Sequence, residues 1–391
     1  MRTQVGIVGA GPAGLVLAHL LARAGIDSVV LENRSRGYIE QRVRAGVLEQ
    51  NTVDLLRENG LAQRLDREGM VHQGLELRFA GRGHRIPLSE LTGGRAITVY
   101  GQQEVVKDLV RARLEAGGEI LFEVDDVTLH DLDSERPAIR FRDDGGDHEL
   151  RCDVVAGCDG FHGISRPSIP AGVLTAYERE YPFAWLGILA EAPPSSEELI
   201  YCSSERGFAL HSMRSPKLTR LYLQVDPDED LANWPDERIW EELRARFATD
   251  DGWTLADGPL VEKGITELRS YVVEPMQYGR LYLAGDAAHI VPATGAKGLN
   301  LAVADVRILA EALEAWYRTG RTDLLDGYSA ACLRRVWRVQ QFSWWMTSML
   351  HLSHDDGGFD RRLQLSQLAY VCSSTAAATS LAENYVGLPY V

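Results

Sequence analysis

Glycines stand at positions 9, 11 and 14 of Gly9-Ala10-Gly11-Pro12-Ala13-Gly14, behind a short apolar run and ahead of a longer one. That spacing suits a dinucleotide. Gly9 permits a tight turn, Gly11 lets a pyrophosphate approach the backbone, and Gly14 lets helix and strand pack closely. Amides at the start of the following helix then face the anion. Glu32 closes the next apolar run, where a carboxylate can accept from ribose hydroxyls. Two more apolar runs end in an acid beside glycine, Asp159-Gly160 and Gly285-Asp286. Either acid alone reads as turn or cap chemistry. With the first motif, they suit carboxylates that hold the ribityl hydroxyls of a flavin. Ser212 and Arg214 are two apart, so on a strand they share a face. A guanidinium there offers a planar fork to a carboxylate, and Ser and Tyr hydroxyls from the same region, which holds Tyr201 and Tyr222, can supply the remaining hydrogen bonds. Spacing alone leaves the plainer account standing, a surface arginine among half-buried sheet tyrosines.

The elements that must position these residues follow from periodicity. Gln4–Val8 and Ser28–Leu31 read as buried strands on either side of a helix over Leu15–Ala24, the start of a βαβ unit. Helices are predicted at Gln50–Glu58 and Gln102–Glu115, with strands at Leu75–Ala80 and Ile97–Tyr100 between them. Ile120–Glu123, Val127–Leu132 and Ala138–Phe141 alternate like an antiparallel meander, and Cys152–Gly157 is a short buried strand. From Tyr181 the pattern changes to strands at 185–190, 199–201, 207–213 and 219–225, followed by a helix at Asp236–Phe247 with Asp236 as its cap. Arg280–Gly285 is again a buried strand, and Gly298–Tyr317 and Ser329–Leu352 read as helices. The fold class is α/β: a Rossmann-like, three-layer ββα nucleotide-binding domain over 1–174 and 276–391, with C-terminal helices. An antiparallel-sheet domain over 175–275 is inserted into it.

Composition removes several classes of function. Lys and Arg number 41 against 56 Asp and Glu, a net charge of −15, which opposes binding to nucleic acid or to an anionic membrane. Five cysteines without a C-x-x-C predict free thiols in a reducing cytoplasm and no metal site. The apolar N-terminus is broken by Gly9, Gly11, Pro12 and Gly14, unlike the continuous core of a secretion signal. Phe342-Ser343-Trp344-Trp345-Met346 is too short to span a bilayer.

The three nucleotide motifs, in this order, resemble those of the single-component FAD-dependent aromatic hydroxylases, and within them those acting on 4-hydroxybenzoate. The resemblance covers essentially the whole chain. It runs through Arg42 to Gln50, Val99-Tyr100-Gly101-Gln102, Gly157 to Arg166, Thr294-Gly295-Ala296-Lys297-Gly298-Leu299-Asn300, and Glu383 to Pro389. It implies hydroxylation ortho to the phenol with dioxygen and NADPH or NADH, an oxygen carried as a flavin C4a-hydroperoxide, and a homodimer.

Residue by residue, the resemblance implies that Arg214 binds the substrate carboxylate with Ser212 and Tyr222, and that Ala293 and Thr294 line the site. Tyr201 takes a hydrogen bond from the phenol, Tyr385 bonds onward to Tyr201, and His72 is the outer end of the proton relay. FAD falls to Gly9, Gly11, Ala13, Gly14, Glu32, Arg42, Arg44, Gly46, Val47, Gln102, Asp159, Arg220, Asp286, Gly298, Leu299 and Asn300. No second G-x-G-x-x-G follows a strand, so NAD(P)H must use another surface, implied to be Arg34, Tyr38, His162, Arg166 and Arg269. Two positions depart from the family pattern. Asn33 stands where an Arg is often found, with Arg34 following, which leaves the coenzyme preference open. Pro292-Ala293-Thr294-Gly295 replaces Pro-Pro-Thr-Gly, so position 293 keeps a carbonyl but loses the fixed φ of proline. Other readings are a sibling hydroxylase for another hydroxy- or aminobenzoate, and a flavin-binding redox or interaction protein without hydroxylase activity. Tyr201 and Tyr385 argue against the first, and the intact Arg214 set against the second.

Overall fold

The computed structural model describes residues 1–42, 46–352 and 358–390. A six-stranded sheet forms the nucleotide-binding body, in the order Gln277–Tyr278, Leu281–Leu283, Val154–Gly157, Val5–Val8, Ser28–Leu31, Glu119–Leu121. All its pairs are parallel except the first. Its central strands Val5–Val8 and Val154–Gly157 are buried along their full length, as strands covered on both faces must be. The helices Pro12–Arg23, Gln102–Glu115 and Gly298–Thr319 pack together on one face. On the other lies an antiparallel meander of Asp125–His130, Ala138–Asp143 and Gly146–Arg151. Gly6 marks how close that third layer comes: a Cβ there would sit 2.6 Å from Ile139 Cδ1. The ββα layering read from the sequence is therefore present.

The second body is an eight-stranded sheet, ordered His289–Ile290, Leu260–Glu274, Thr175–Ala190, Leu218–Val225, Gly207–Ser215, Leu199–Ser204, Leu75–Phe79, Arg82–Ile86. The helix Asp236–Phe247 packs Ile239, Trp240, Leu243 and Phe247 into a core with Leu221, Leu223 and Ile200. Helices Tyr328–Leu350, Phe359–Ser373 and Thr375–Val386 follow the helix Gly298–Thr319.

Three local expectations are corrected. Ile120–Glu123 is not part of the meander: Glu119–Leu121 pairs in parallel with Ser28–Leu31, because its apolar residues complete the edge of the central sheet. Leu75–Phe79 leaves the first body and pairs in parallel with Leu199–Ser203, so the large sheet draws strands from outside 175–275. Pro235 caps the helix at 236, and Asp236 is its first residue, placed where its charge favours the helix dipole.

Gly14 is the tightest point of the first motif, since a Cβ there would lie 2.0 Å from the Gly9 carbonyl oxygen. Gly14→Ala is expected to cost about 1–3 kcal/mol as an overpacked contact against backbone. A thermal melt of the purified variant that matched the parent would contradict the close approach.

Candidate functional site

Begin at the first turn. Gly9 sits at φ +101, and a Cβ there would strike the Cys158 carbonyl oxygen at 2.4 Å, so both the left-handed backbone and the neighbouring strand exclude a side chain. Gly11 precedes Pro12 as the helix cap without any side-chain capping bond, and a Cβ built on it meets nothing within 4 Å. Ala13, buried, follows at the second helical position. The helix N-terminus thus opens on free space, the place an anion takes. Glu32 is buried and orders this opening from below: it accepts from the Ala10 amide (2.8 Å) and the Arg34 amide (2.9 Å).

The two other acids differ. Asp159 Oδ2 accepts from the Ser165 amide (2.8 Å) and hydroxyl (2.9 Å), while its Oδ1 is sealed from solvent without a partner. Burial raises the pKa of this carboxyl. Asp286 is exposed and has no hydrogen bond among the described residues; it follows Gly285, where a Cβ would lie 3.6 Å from the Ala13 Cβ, so the turn sits against the start of the first helix. Gly298, first in its helix, has open space at its Cβ position, as does Gly11. Leu299 is partly buried next to it. An open helix end, an orphaned carboxylate oxygen and a free carboxylate form a cradle that fits a dinucleotide carrying hydroxyls.

Some expected cofactor residues serve the scaffold through their side chains. Asn300 accepts from the Glu49 amide and donates to the Val47 and Ala296 carbonyls, tying the helix Gly298–Thr319 to the segment Gly46–Glu49. Gly46 lies so close to Tyr100 that a Cβ would meet its carbonyl at 2.4 Å. Gln102 begins the helix Gln102–Glu115. Arg44 lies outside the described residues.

The large sheet brings the other set together. Ser212 and Arg214 share the strand Gly207–Ser215, and Arg214 Nη1 donates to Ser212 Oγ at 2.8 Å and to the Met213 carbonyl at 3.1 Å. Tyr222 lies on the neighbouring strand Leu218–Val225, paired opposite Leu210. Arg214 Nε is sealed from solvent with no acceptor, and among the described residues no carboxylate forms an ion pair with Arg214. Burial pulls its pKa down. Arg220, two residues before Tyr222, sits 5.4 Å from its ring centroid and reaches Glu262 at 3.5 Å.

Tyr201 and Tyr385 are both 1% exposed, and their hydroxyls lie 2.5 Å apart. Tyr201 donates to the Thr294 carbonyl at 3.0 Å, and a hydroxyl has one proton, so Tyr385 donates to Tyr201. Burial raises the pKa of both phenols. The Tyr222 hydroxyl bears electrostatically on Tyr201 as well as on Arg214. Ala293 is exposed, and its carbonyl accepts from the Ala296 amide at 2.9 Å, so here it closes a turn. His72 is 1% exposed rather than a surface residue; both its ring nitrogens lack partners, and burial lowers its pKa to about 4. No direct hydrogen bond joins it to Tyr385.

The basic residues form two aromatic-centred clusters. Arg34 and Arg42 lie 5.3 and 5.9 Å from the ring of exposed Tyr38. Arg166 and Arg269 lie 4.5 and 3.9 Å from the Phe161 ring, with exposed His162 against its edge. Arg166 also donates to the Ala287 carbonyl, linking this cluster to the Asp286 turn.

Two buried ion pairs were missed. Lys297 donates to Glu49 at 2.6 Å and to the carbonyls of Asn384 and Tyr385 at 2.5 and 2.9 Å, fixing the tail under the site. His289 Nε2 lies 2.6 Å from Asp305 Oδ2, which also accepts from the Gly285 amide at 3.0 Å. One signal existed: Asp305 stands midway between Leu301 and Leu309 at helical spacing, an acid on an apolar face.

A match to the FAD binding domain family spans residues 2–343. The p-hydroxybenzoate hydroxylase of Acinetobacter baylyi is 49% identical over 390 residues, covering 100% of this chain and 96% of that protein. A rifampicin monooxygenase of Streptomyces venezuelae is 26% identical, over 83% of this chain and 67% of its own. The p-nitrophenol 4-monooxygenase structure from Pseudomonas putida superposes with a TM-score of 0.84 at 20% identity, covering 99% of both chains, which supports the fold.

The His289–Asp305 pair makes a pH prediction. Burial opposes the charge on His289, but Asp305 outweighs it and the histidine pKa rises above 6.5. A raised folded value stabilises the protein fully below 6.5 and loses that contribution as pH climbs through the folded pKa. The melting-temperature deficit of Asp305→Asn against wild type should therefore shrink as pH rises above 6.5; a deficit that grows with pH would refute the charged pair. With the glycine cradle, its acids and the full-length matches together, the chain belongs to the FAD-binding aromatic monooxygenases, the family that includes p-hydroxybenzoate hydroxylase.

Proposed function

We propose that the chain converts 4-hydroxybenzoate, NAD(P)H, a proton and dioxygen into 3,4-dihydroxybenzoate, NAD(P)+ and water. The observation that carries this reading is Arg214: a guanidinium with a sealed, acceptorless Nε beside Ser212, and no ion-pair partner among the described residues. A benzoate carboxylate supplies the missing anion and accepts in the plane of the fork. The 49% identity to an enzyme named for this substrate supports the same choice.

FAD, when bound, activates dioxygen and delivers one oxygen atom. Gly9, Gly11, Ala13, Gly14 and Gly298 leave room for it, Glu32 orders the turn, and Asp159 and Asp286 present carboxylate oxygens to its hydroxyls. Arg42, Arg44, Gly46, Val47, Gln102, Arg220, Leu299 and Asn300 complete the proposed set. The remaining work belongs to the protein. Arg214, Ser212 and Tyr222 fix the ring by its carboxylate, so that the phenol oxygen reaches Tyr201. Phenolate donates electron density to the ortho carbon far better than phenol, whose ordinary pKa is about 10. When substrate binds, its phenol becomes the donor to Tyr201, Tyr201 turns its own proton from the Thr294 carbonyl to Tyr385, and Tyr385 passes its proton onward, so the pair carries the phenol proton away from the ring with His72 beyond them. Thr294 and Ala293 close the site, and water is kept out so that the oxygen goes to the ring. Arg34, Tyr38, His162, Arg166 and Arg269 form the NAD(P)H surface, where guanidiniums meet phosphate.

The body over 1–174 and 276–391 is read as the FAD-binding domain and 175–275 as the core of the substrate sheet. A homodimer is part of the proposal, supported by exposed Trp344, Leu363 and Tyr370 on the C-terminal helices. So is a cytoplasmic location, supported by five unpaired cysteines. No described helix is long and apolar enough to cross a membrane.

Purified protein with FAD should oxidise NAD(P)H when given 4-hydroxybenzoate and yield the dihydroxy acid by chromatography. Oxidation without that product would leave only an effector role for the aromatic acid. Arg214→Lys should raise the Kd for 4-hydroxybenzoate at least tenfold by losing the bidentate fork while FAD content stays normal. Tyr201→Phe should bind substrate nearly as well but hydroxylate slowly; turnover at the parent rate would remove the relay from the mechanism.

A further inference from the structure

His351 follows the last turn of the helix Tyr328–Leu350 and is 1% exposed. Its two edges face groups of opposite kind. The Trp185 indole N–H, a donor only, points at Nε2 from 2.6 Å. The Thr347 carbonyl, an acceptor only, lies 3.0 Å from Nδ1. Those partners fix the tautomer: Nδ1 carries the proton and Nε2 accepts. Burial agrees, holding the pKa at about 3, so the ring is neutral throughout the working range. A neutral imidazole is the side chain that accepts on one edge, donates on the other and stacks flat. His351 does stack, with ring centroids 4.5 Å from Phe183 and 4.2 Å from Phe208.

From this ring, contacts run to both ends of the proposed substrate site. Trp185, on the strand Thr175–Ala190, lies 4.8 Å from the Tyr222 ring, beside Arg214. In the other direction, Thr347 Oγ1 is hydrogen-bonded to Thr294 Oγ1 at 2.9 Å, and the Thr294 carbonyl holds the Tyr201 hydroxyl. Phe208 makes a second route, 6.2 Å from the Tyr201 ring. Gln224 clamps the backbone next door, accepting from the Leu352 amide at 2.9 Å and donating to its carbonyl at 2.8 Å.

We propose that His351 is a positioning residue that sets the separation between the carboxylate-binding end and the phenol-binding end of the substrate site, through Trp185 on one side and Thr347–Thr294 on the other. This rests on the reading of Arg214 and Tyr201 as those two ends. His351 touches neither reacting group. Losing it leaves the Trp185 N–H and its route to Tyr222 without an anchor, so the aromatic acid is held less well against both grips at once.

The test uses the FAD-loaded enzyme and 4-hydroxybenzoate. His351→Phe keeps the stack and removes both hydrogen bonds; His351→Gln keeps one acceptor and one donor. The phenylalanine variant should raise KM for 4-hydroxybenzoate about tenfold, as for one buried hydrogen bond lost, with FAD affinity unchanged. The glutamine variant should recover most of that loss. Trp185→Phe, which removes the same hydrogen bond from the other side, should give a similar rise. The double variant Trp185→Phe/His351→Phe should be no worse than His351→Phe alone, because the contact that Trp185→Phe removes is already gone in it. Parent KM in His351→Phe would overturn the proposal, as would a loss of FAD affinity and melting temperature that glutamine does not restore. If His351→Phe does not fold, an unchanged KM in Trp185→Phe overturns it alone. Wild-type protein that failed to bind 4-hydroxybenzoate at all would instead defeat the substrate reading.

Discussion

A guanidinium nitrogen sealed from water without an acceptor is costly, and Arg214 Nε is one. Much of the large sheet explains how that cost is tolerated. Ser212 and the Met213 carbonyl satisfy Nη1, and the proposed function gives the rest of the fork to an anion. A site filled by an internal acid would be more stable without ligand and would bind nothing. In the proposed reading of Arg214, holding the charge half-satisfied makes carboxylate binding and local stability the same event.

The nucleotide end follows the opposite logic. It is held by close backbone approach, with Gly9 against Cys158 and Gly14 against Gly9, and by buried charges that are fully paired. Lys297 ties Glu49 to the Tyr385 backbone, and Asp305 ties His289 to the Gly285 amide. Breaking one partner of such a pair costs about 3–5 kcal/mol. The pairs therefore hold the turns around the glycine motif with little freedom, while Asp159 Oδ1 and the exposed Asp286 carboxylate, assigned to the cofactor in the proposed function, stay unspent.

The glycine motif was legible because its steric demands are local: turn, helix start and acid all lie within 32 residues. The short buried strands were legible because a strand covered on both faces is a plain apolar run. Pairing was harder. Glu119–Leu121 and Leu75–Phe79 have strand character, but nothing in their residues says which strand lies alongside, and both went to partners distant in sequence. Spacing placed Ser212 and Arg214 on one face, yet could not separate a surface arginine from a buried one; that distinction lives in Trp185, Tyr222 and the helices that cover them. Lys297 and His351 looked ordinary because the partners that define them, Glu49 and Trp185, lie more than 160 residues away. Asp305 alone betrayed itself, as an acid on an apolar helix face.

The strands Leu75–Phe79 and Arg82–Ile86 complete a sheet whose other strands begin 89 residues later, at Thr175. Backbone amides of Leu199–Ser204 are therefore satisfied by a segment synthesised long before them. Excising 175–275 as a cassette would bare that strand edge, an invitation to pair with other chains. Late closure of so long a loop also makes for slow folding. Natural recombination would have to carry the donor strands along with the cassette, so aromatic specificity in this architecture is more readily altered by point substitution than by exchange of whole modules.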